Sequence, residues 1–205
     1  NAGQNCAGIE RVYVVEGIAD RFIAALGKVA DALVVSDGTS VSDLGPLQNE
    51  AQLRIVESHV ADALEKGAVL VAGGKRTGKG LGYRPTVLDR CTHQMRVVTE
   101  ETFGPVVAVI RVKNADEAIR MANDSMYGLN GSVWTRNIPL GEQLVRKMDV
   151  GVALVNNHAV VGILPELPWT GVKDTGPGVA SSRHSYPSFV RRRAVLVDSN
   201  AGPDP

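Results

Sequence analysis

Val106-Val107-Ala108-Val109-Ile110-Arg111-Val112 is the stretch that decides the fold. So continuous a β-branched run reads as a strand covered on both faces, as in the middle of a parallel sheet. Strand-like and helix-like segments alternate on either side of it. Residues 11–15 (RVYVV) read as a strand, and Ile18, Phe22, Ile23, Leu26, Val29, Ala30 and Leu33 then recur at helical spacing. A second helix is predicted over residues 49–66, with Val56, Val60 and Leu64 on one face and Gly67 as its stop. Residues 68–71 read as the next strand. Beyond the central run, Asn114 and Glu117 make an Asn-x-x-Glu variant of a capping box that opens a helix over residues 115–123. A strand at 131–135, a helix at 140–148 and a strand at 151–156 follow. The alternation predicts an α/β fold, a mostly parallel twisted sheet flanked by helices, in which ligands gather at the carboxyl ends of strands.

After Asn157 the pattern changes. Residues 161–187 are rich in Gly, Pro and Ser with little periodicity, which is the signature of a functional or disordered loop. Residues 191–198 (RRRAVLVD) read as a final strand before a frayed tail. At 205 residues the chain can bury a sizeable core, and with 4% aromatic residues aliphatic side chains must dominate it. The formal net charge is zero, so no global field draws the chain to nucleic acid or an anionic membrane. No apolar run approaches the ~20 residues that span a bilayer. Two cysteines without a disulfide framework make a reducing, cytoplasmic setting the default. The chain opens on Asn1 rather than Met, so a processed protein or a piece of a longer one is expected.

Cys6 is the candidate nucleophile. It lies between Gly3 and Gly8, with Asn5 and Ala7 as immediate neighbours. A structural cysteine usually sits within an apolar stretch. This one sits in a glycine-flanked turn, where small neighbours let a carbonyl approach the sulfur. A helix starting near Gln4 would add a dipole favouring the thiolate. Buried packing is the competing reading. GGKRTGKG (residues 73–80) has the G-x-x-x-x-G-K spacing of a phosphate loop, but Gly80 stands where Ser or Thr should hold magnesium. His59, His93, His158 and His184 show no zinc spacing with either cysteine, so no metal site is expected and locally packed or exposed histidines are the better reading.

GQNC ahead of an apolar strand and EETFGPV at residues 100–106 are followed or interleaved by further motifs in order. These are LGPL (44–47), GA-VL-V-GG (67–74), RPTVL (84–88), AND--YGLN (122–130), G-A-VN (151–156) and LPWTGVKDTGPG (167–178). Together they resemble the aldehyde dehydrogenase superfamily over nearly the whole chain, as a carboxyl-terminal catalytic-domain portion. The resemblance implies that Cys6 attacks an aldehyde carbonyl to give a thiohemiacetal, then a thioester that water hydrolyses to the acid. It implies NAD or NADP as cofactor, with Glu101 on the nicotinamide ribose and Phe103 near the nicotinamide. Asn5, Ala7, Val161 and Trp169 would line the aldehyde pocket, and the Cys6 N–H would serve the oxyanion.

The resemblance further implies a catalytic domain over residues 1–185, an oligomerisation strand and tail over 186–205, and a homo-oligomer in the full-length enzyme. The family's usual glutamate base, its second oxyanion donor and its glycine-rich adenine site would lie upstream of Asn1. The polypeptide alone is therefore expected to lack substantial dehydrogenase activity. A small aldehyde is the expected partner, with neither nucleic acid nor membrane. Three alternatives stay open: a coenzyme A-acylating relative, a cysteine hydrolase with His158 or His184 as base, and a non-catalytic structural relative.

Overall fold

The structure, a computed structural model, describes residues 1–36, 38–78, 80–158, 164–199 and 202. In chain order its elements are β1 (Arg11–Val15), α1 (Glu16–Ala32), α2 (Glu50–Glu65), β2 (Val69–Ala72), β3 (Thr86–Asp89), α3 (Arg96–Thr99) and β4 (Val106–Val112). There follow α4 (Ala115–Asn123), β5 (Asn130–Val133), α5 (Ile138–Val145), β6 (Val152–Val155), β7 (Trp169–Thr170) and β8 (Val179–Ala180). The main sheet has the order β1-β4-β3-β2. β4 runs parallel to β1 and β3, and β2 closes one edge antiparallel to β3. β5 and β6 form a separate parallel pair, and β7 and β8 an antiparallel one. The mostly parallel α/β sheet expected from the alternation is present.

β4 is covered on both faces, as its composition demands. Val106, Ala108, Ile110 and Val112 pack with Leu53, Val56, Val60 and Ala63 of α2. Val107 and Val109 face the opposite cluster, with Ala19, Ile23 and Ala30 of α1. The one charge in the run, Arg111, lies on that second face and is answered there. It reaches Asp89 at the end of β3 at 2.8 Å and Asp20 of α1 at 2.7 Å. Helix starts follow the sequence closely. Asn49 Oδ1 accepts from the Gln52 N–H and Asn114 Oδ1 from the Glu117 N–H, each at 2.9 Å. Glu117 returns its carboxylate to the N–H of Lys113, at 2.7 Å, one residue before the cap.

Several expectations are corrected. No helix begins near Gln4: residues 1–8 form turns, so no helix dipole faces Cys6. β3 and α3 were not anticipated. Residues 190–198 form no strand, because no strand among the described residues offers them a ladder. Their side chains stand in solvent, with Val195, Leu196 and Val197 at 74%, 95% and 79% exposure. Finally, the candidate residues do not collect at the carboxyl ends of the main sheet. The Cys6 turn feeds β1 and residues 100–105 feed β4. Since β1 and β4 are parallel neighbours, the two segments meet at the amino ends.

Residues 100–105 are held by three side chains. Glu10 accepts from the Thr102 N–H at 3.0 Å and from the Phe103 N–H at 2.8 Å, one bond per carboxylate oxygen. Gln52 of α2 donates to the carbonyls of Thr102 and Phe103 at 2.8 and 3.3 Å. His59, two turns further along the same face of α2, places Nδ1 3.1 Å from Thr102 Oγ1. Burial pushes the Glu10 carboxyl above its ordinary range, although the two N–H bonds favour its charged form. Burial also holds the His59 imidazole below its ordinary range, aided by the Arg96 charge and against Glu100 and Asp62. Its Nε2 lies 3.3 Å from Glu100 Oε2 but outside hydrogen-bonding geometry.

Glu10→Gln leaves one acceptor oxygen for two N–H groups. It is expected to destabilise the chain by about 1–3 kcal/mol, read as a lower urea midpoint. An unchanged midpoint would show that the loop finds other partners. His59 gives a pH signature. Its folded pKa lies below its unfolded one, so its contribution is complete above about pH 6.5 and is lost as pH falls from there toward the depressed folded value. Urea midpoints across that window should decline in the unaltered chain and decline less in His59→Gln; equal slopes would contradict a buried neutral imidazole.

Candidate active site

The Cys6 turn is built from its own backbone. Gln4 N–H donates to Asn1 O at 3.0 Å, Asn5 N–H to Gly3 O at 2.8 Å and Gly8 N–H to Asn5 O at 2.8 Å. Asn5 Oδ1 accepts from the Ala7 N–H at 2.9 Å and lies 3.8 Å from Cys6 Sγ. Asn5 and Cys6 are exposed and Ala7 is half-buried. The Cys6 N–H makes no hydrogen bond among the described residues. Cys91 is the opposite case. It is buried, its S–H faces Leu88 O at 3.5 Å, and burial pushes its thiol up to about 12.

Gln4 explains why a glutamine precedes this turn. Its Nε2 donates to Asn1 O at 2.9 Å, and its Oε1 accepts from the Gln48 N–H at 2.7 Å, tying the turn to the segment that follows LGPL. Gly3, at φ +72°, packs directly on the next loop, and a Cβ there would collide with the Gly104 carbonyl. Cys6 and residues 100–105 are thus brought together through Gly3 and Glu10. Glu101 is exposed and its carboxylate makes no hydrogen bond among the described residues. Phe103 is half-buried with φ 48°, a left-handed conformation its backbone bonds to Glu10 and Gln52 sustain.

Trp169 is half-buried in β7, which packs by its Thr170 carbonyl against Gly151 just before β6. Val161 lies outside the described residues. An open cavity of about 560 Å³ is lined by Pro165, Glu166, Ser182, Arg183 and His184, and Cys6 is not among its walls.

His158 is close to Cys6 in space, yet its Nε2 is 2.7 Å from Ala7 O and its Nδ1 3.1 Å from Ser132 Oγ. Among the described residues no imidazole bonds Cys6 Sγ, so the Cys–His pair of a hydrolase is not formed. No cluster of three or more His, Cys, Asp or Glu side chains suits a metal among the described residues, and no described helix is long and apolar enough to cross a membrane. Glu10 and Gln52 were missed in the sequence, and His158 was considered there only as a base. Glu10, a lone carboxylate directly before an apolar strand, was the one visible signal.

The chain matches the aldehyde dehydrogenase family over residues 1–195. It is 37% identical over 197 residues to the NADP(+) succinate-semialdehyde dehydrogenase of Deinococcus radiodurans, covering 95% of this chain and 41% of that protein. To the lactaldehyde dehydrogenase of Escherichia coli it is 36% identical over 205 residues, covering 97% and 42%. The fold superposes on a point mutant of apo betaine aldehyde dehydrogenase of Staphylococcus aureus with a TM-score of 0.92 at 31% identity, covering 98% of this chain and 41% of that one. The same enzyme in complex with NAD+ gives 0.91 at 31% identity and the same coverage. The chain spans about two-fifths of the length of the curated relatives it matches. With the match running from Asn1 almost to the end of the described residues, the chain belongs to the aldehyde dehydrogenase family.

Proposed function

We propose that this chain carries the nucleophile and the nicotinamide-ribose contact of an active site that oxidises a small aldehyde to its acid. The observation that carries the reading is the exposed Cys6 thiol, held by a braced turn beside the loop that bears Glu101. The Cys6 thiolate adds to the aldehyde carbon, and the former carbonyl oxygen becomes an oxyanion. The unpartnered Cys6 N–H is placed on the attacking residue itself, where it can donate to that oxygen. Asn5 and Ala7, flanking the sulfur, shape the approach. The Asn5 amide oxygen lies 3.8 Å from Sγ. Once the thioester stands on Cys6, water attacks its carbonyl, the C–S bond breaks, and the thiolate returns.

A nicotinamide dinucleotide, when bound, supplies the hydride acceptor this oxidation needs. The residues fit it: the Glu101 carboxylate is exposed and unpaired among the described residues, so both its oxygens can accept from a ribose diol. Phe103 would lie on the nicotinamide side of the same loop. Relatives named for NADP(+) and a neighbour holding NAD+ support either dinucleotide. Relatives named for succinate semialdehyde and lactaldehyde support a small polar aldehyde. We assign residues 1–185 to the catalytic portion. Within the strand and tail of residues 186–205, Tyr186 to Val197 would pair with a neighbouring subunit, which the exposed apolar side chains at Val195, Leu196 and Val197 favour.

Iodoacetamide should alkylate Cys6 at least about 100-fold faster than Cys91 near neutral pH, since thiolate does the chemistry and Cys91 is buried. Comparable rates would remove the nucleophile reading. In the holoenzyme, Cys6→Ala should abolish aldehyde-dependent NADH or NADPH formation. Glu101→Gln should raise the KM for dinucleotide roughly 10-fold or more, through one lost charged hydrogen bond, with the aldehyde KM little changed. An unaltered dinucleotide KM would displace Glu101 from the ribose.

A further inference from the structure

Asn130 and Ser132 share one face of β5, because successive strand residues alternate sides. Trp134, next in that series, follows the strand. After β6 the chain turns back and lays His158 on this face. Ser132 Oγ lies 3.1 Å from His158 Nδ1 and accepts from Trp134 Nε1–H at 3.1 Å. His158 Nε2 lies 2.7 Å from the carbonyl oxygen of Ala7, 151 residues away in sequence. A carbonyl only accepts, so Nε2 carries the proton and Nδ1 accepts from the Ser132 hydroxyl. The Asn130 amide nitrogen, 3.3 Å from Nε2, adds no bond to a protonated nitrogen.

The histidine is presented from a fixed point. Two residues earlier, Asn156 at φ +53° accepts from the Thr135 N–H and donates to the Thr135 carbonyl, each at 2.8 Å. At the other end, Ala7 directly follows Cys6, and its N–H is already held by Asn5 Oδ1. The residue after the nucleophile is therefore gripped on both backbone groups by side chains, one from its own turn and one from the segment that follows β6.

We propose that His158 is a positioning residue for the Cys6 thiol, fixing the Ala7 carbonyl and hence the peptide that follows the nucleophile. The inference rests on the reading of Cys6 as nucleophile, and it uses the imidazole as a donor, with no role as a base.

The test compares His158→Gln with His158→Phe. Glutamine can place an amide N–H where the imidazole Nε2–H stood, whereas phenylalanine fills the ring volume without a donor. The first readout is amide hydrogen exchange at Ala7 and Gly8, whose N–H groups bond Asn5. His158→Phe should speed their exchange about 10-fold, and His158→Gln should restore most of the protection. In the holoenzyme His158→Phe should lower kcat with aldehyde KM within about twofold, again with rescue by Gln. Unchanged exchange in His158→Phe, or a Gln variant that behaves like Phe, would overturn the proposal.

Labelling of buried Cys91 reports unfolding. Should His158→Phe unfold, the imidazole nitrogen shifts of the unaltered chain decide: protonated Nε2 with bare Nδ1 supports the tether, and the opposite tautomer overturns it. If exchange responds as expected but iodoacetamide does not favour Cys6, the tether stands and the nucleophile reading fails.

Discussion

Two side chains satisfy the whole backbone of Thr102 and Phe103. Glu10 takes both N–H groups and Gln52 serves both carbonyls. Thr102 and Phe103 lie in no helix or strand, and Thr102 is fully buried, so without these partners their four backbone groups would lack any protein partner. The clasp ties together three elements far apart in sequence: the entry to β1, the first turns of α2 and the entry to β4. It gives irregular chain the fixity of regular structure. That is what allows an exposed cysteine on one segment and an exposed carboxylate on the other to keep a constant relation.

The sheet places the clasp. β4 is parallel to β1, so the segments that lead into them emerge side by side. Apolar residues on both faces of β4 lock its register between α1 and α2, and the Arg111–Asp89–Asp20 group closes the one charged gap. Burial raises the Asp89 carboxyl, but the Arg111 hydrogen bond, the Arg90 N–H and both arginine charges outweigh it and leave the carboxyl below its ordinary range. The second sheet reaches the same region by another route, through His158 on Ala7. Two independently hydrogen-bonded sheets thus meet at the Cys6 turn.

Much of this was legible from residues alone. The period of residues 106–112 announced a two-faced strand, and Asn49 and Asn114 announced helix starts, because both signals are local. β3 was not legible, since four residues after a proline carry too little pattern, and α3 hides a single helical turn in a β-branched stretch. The Cys6 turn was legible as a glycine-flanked segment but its neighbours were not. A carboxylate such as Glu10 or a glutamine such as Gln52 declares nothing until the fold shows which N–H and carbonyl groups it faces. The general rule for parallel sheets pointed to the carboxyl ends, whereas strand adjacency put these candidates at the amino ends. The run at residues 195–197 has strand composition without a partner strand among the described residues, and composition cannot supply one.

The most direct measurement of the central claim is native-state hydrogen exchange at the Thr102 and Phe103 amides of the unaltered chain. If Glu10 clasps them, they should be protected to the level of the β4 amides, although no regular secondary structure contains them. Exchange as fast as that of the exposed residues 190–198 would contradict the account, because the loop that bears Glu101 would then have no fixed relation to Cys6.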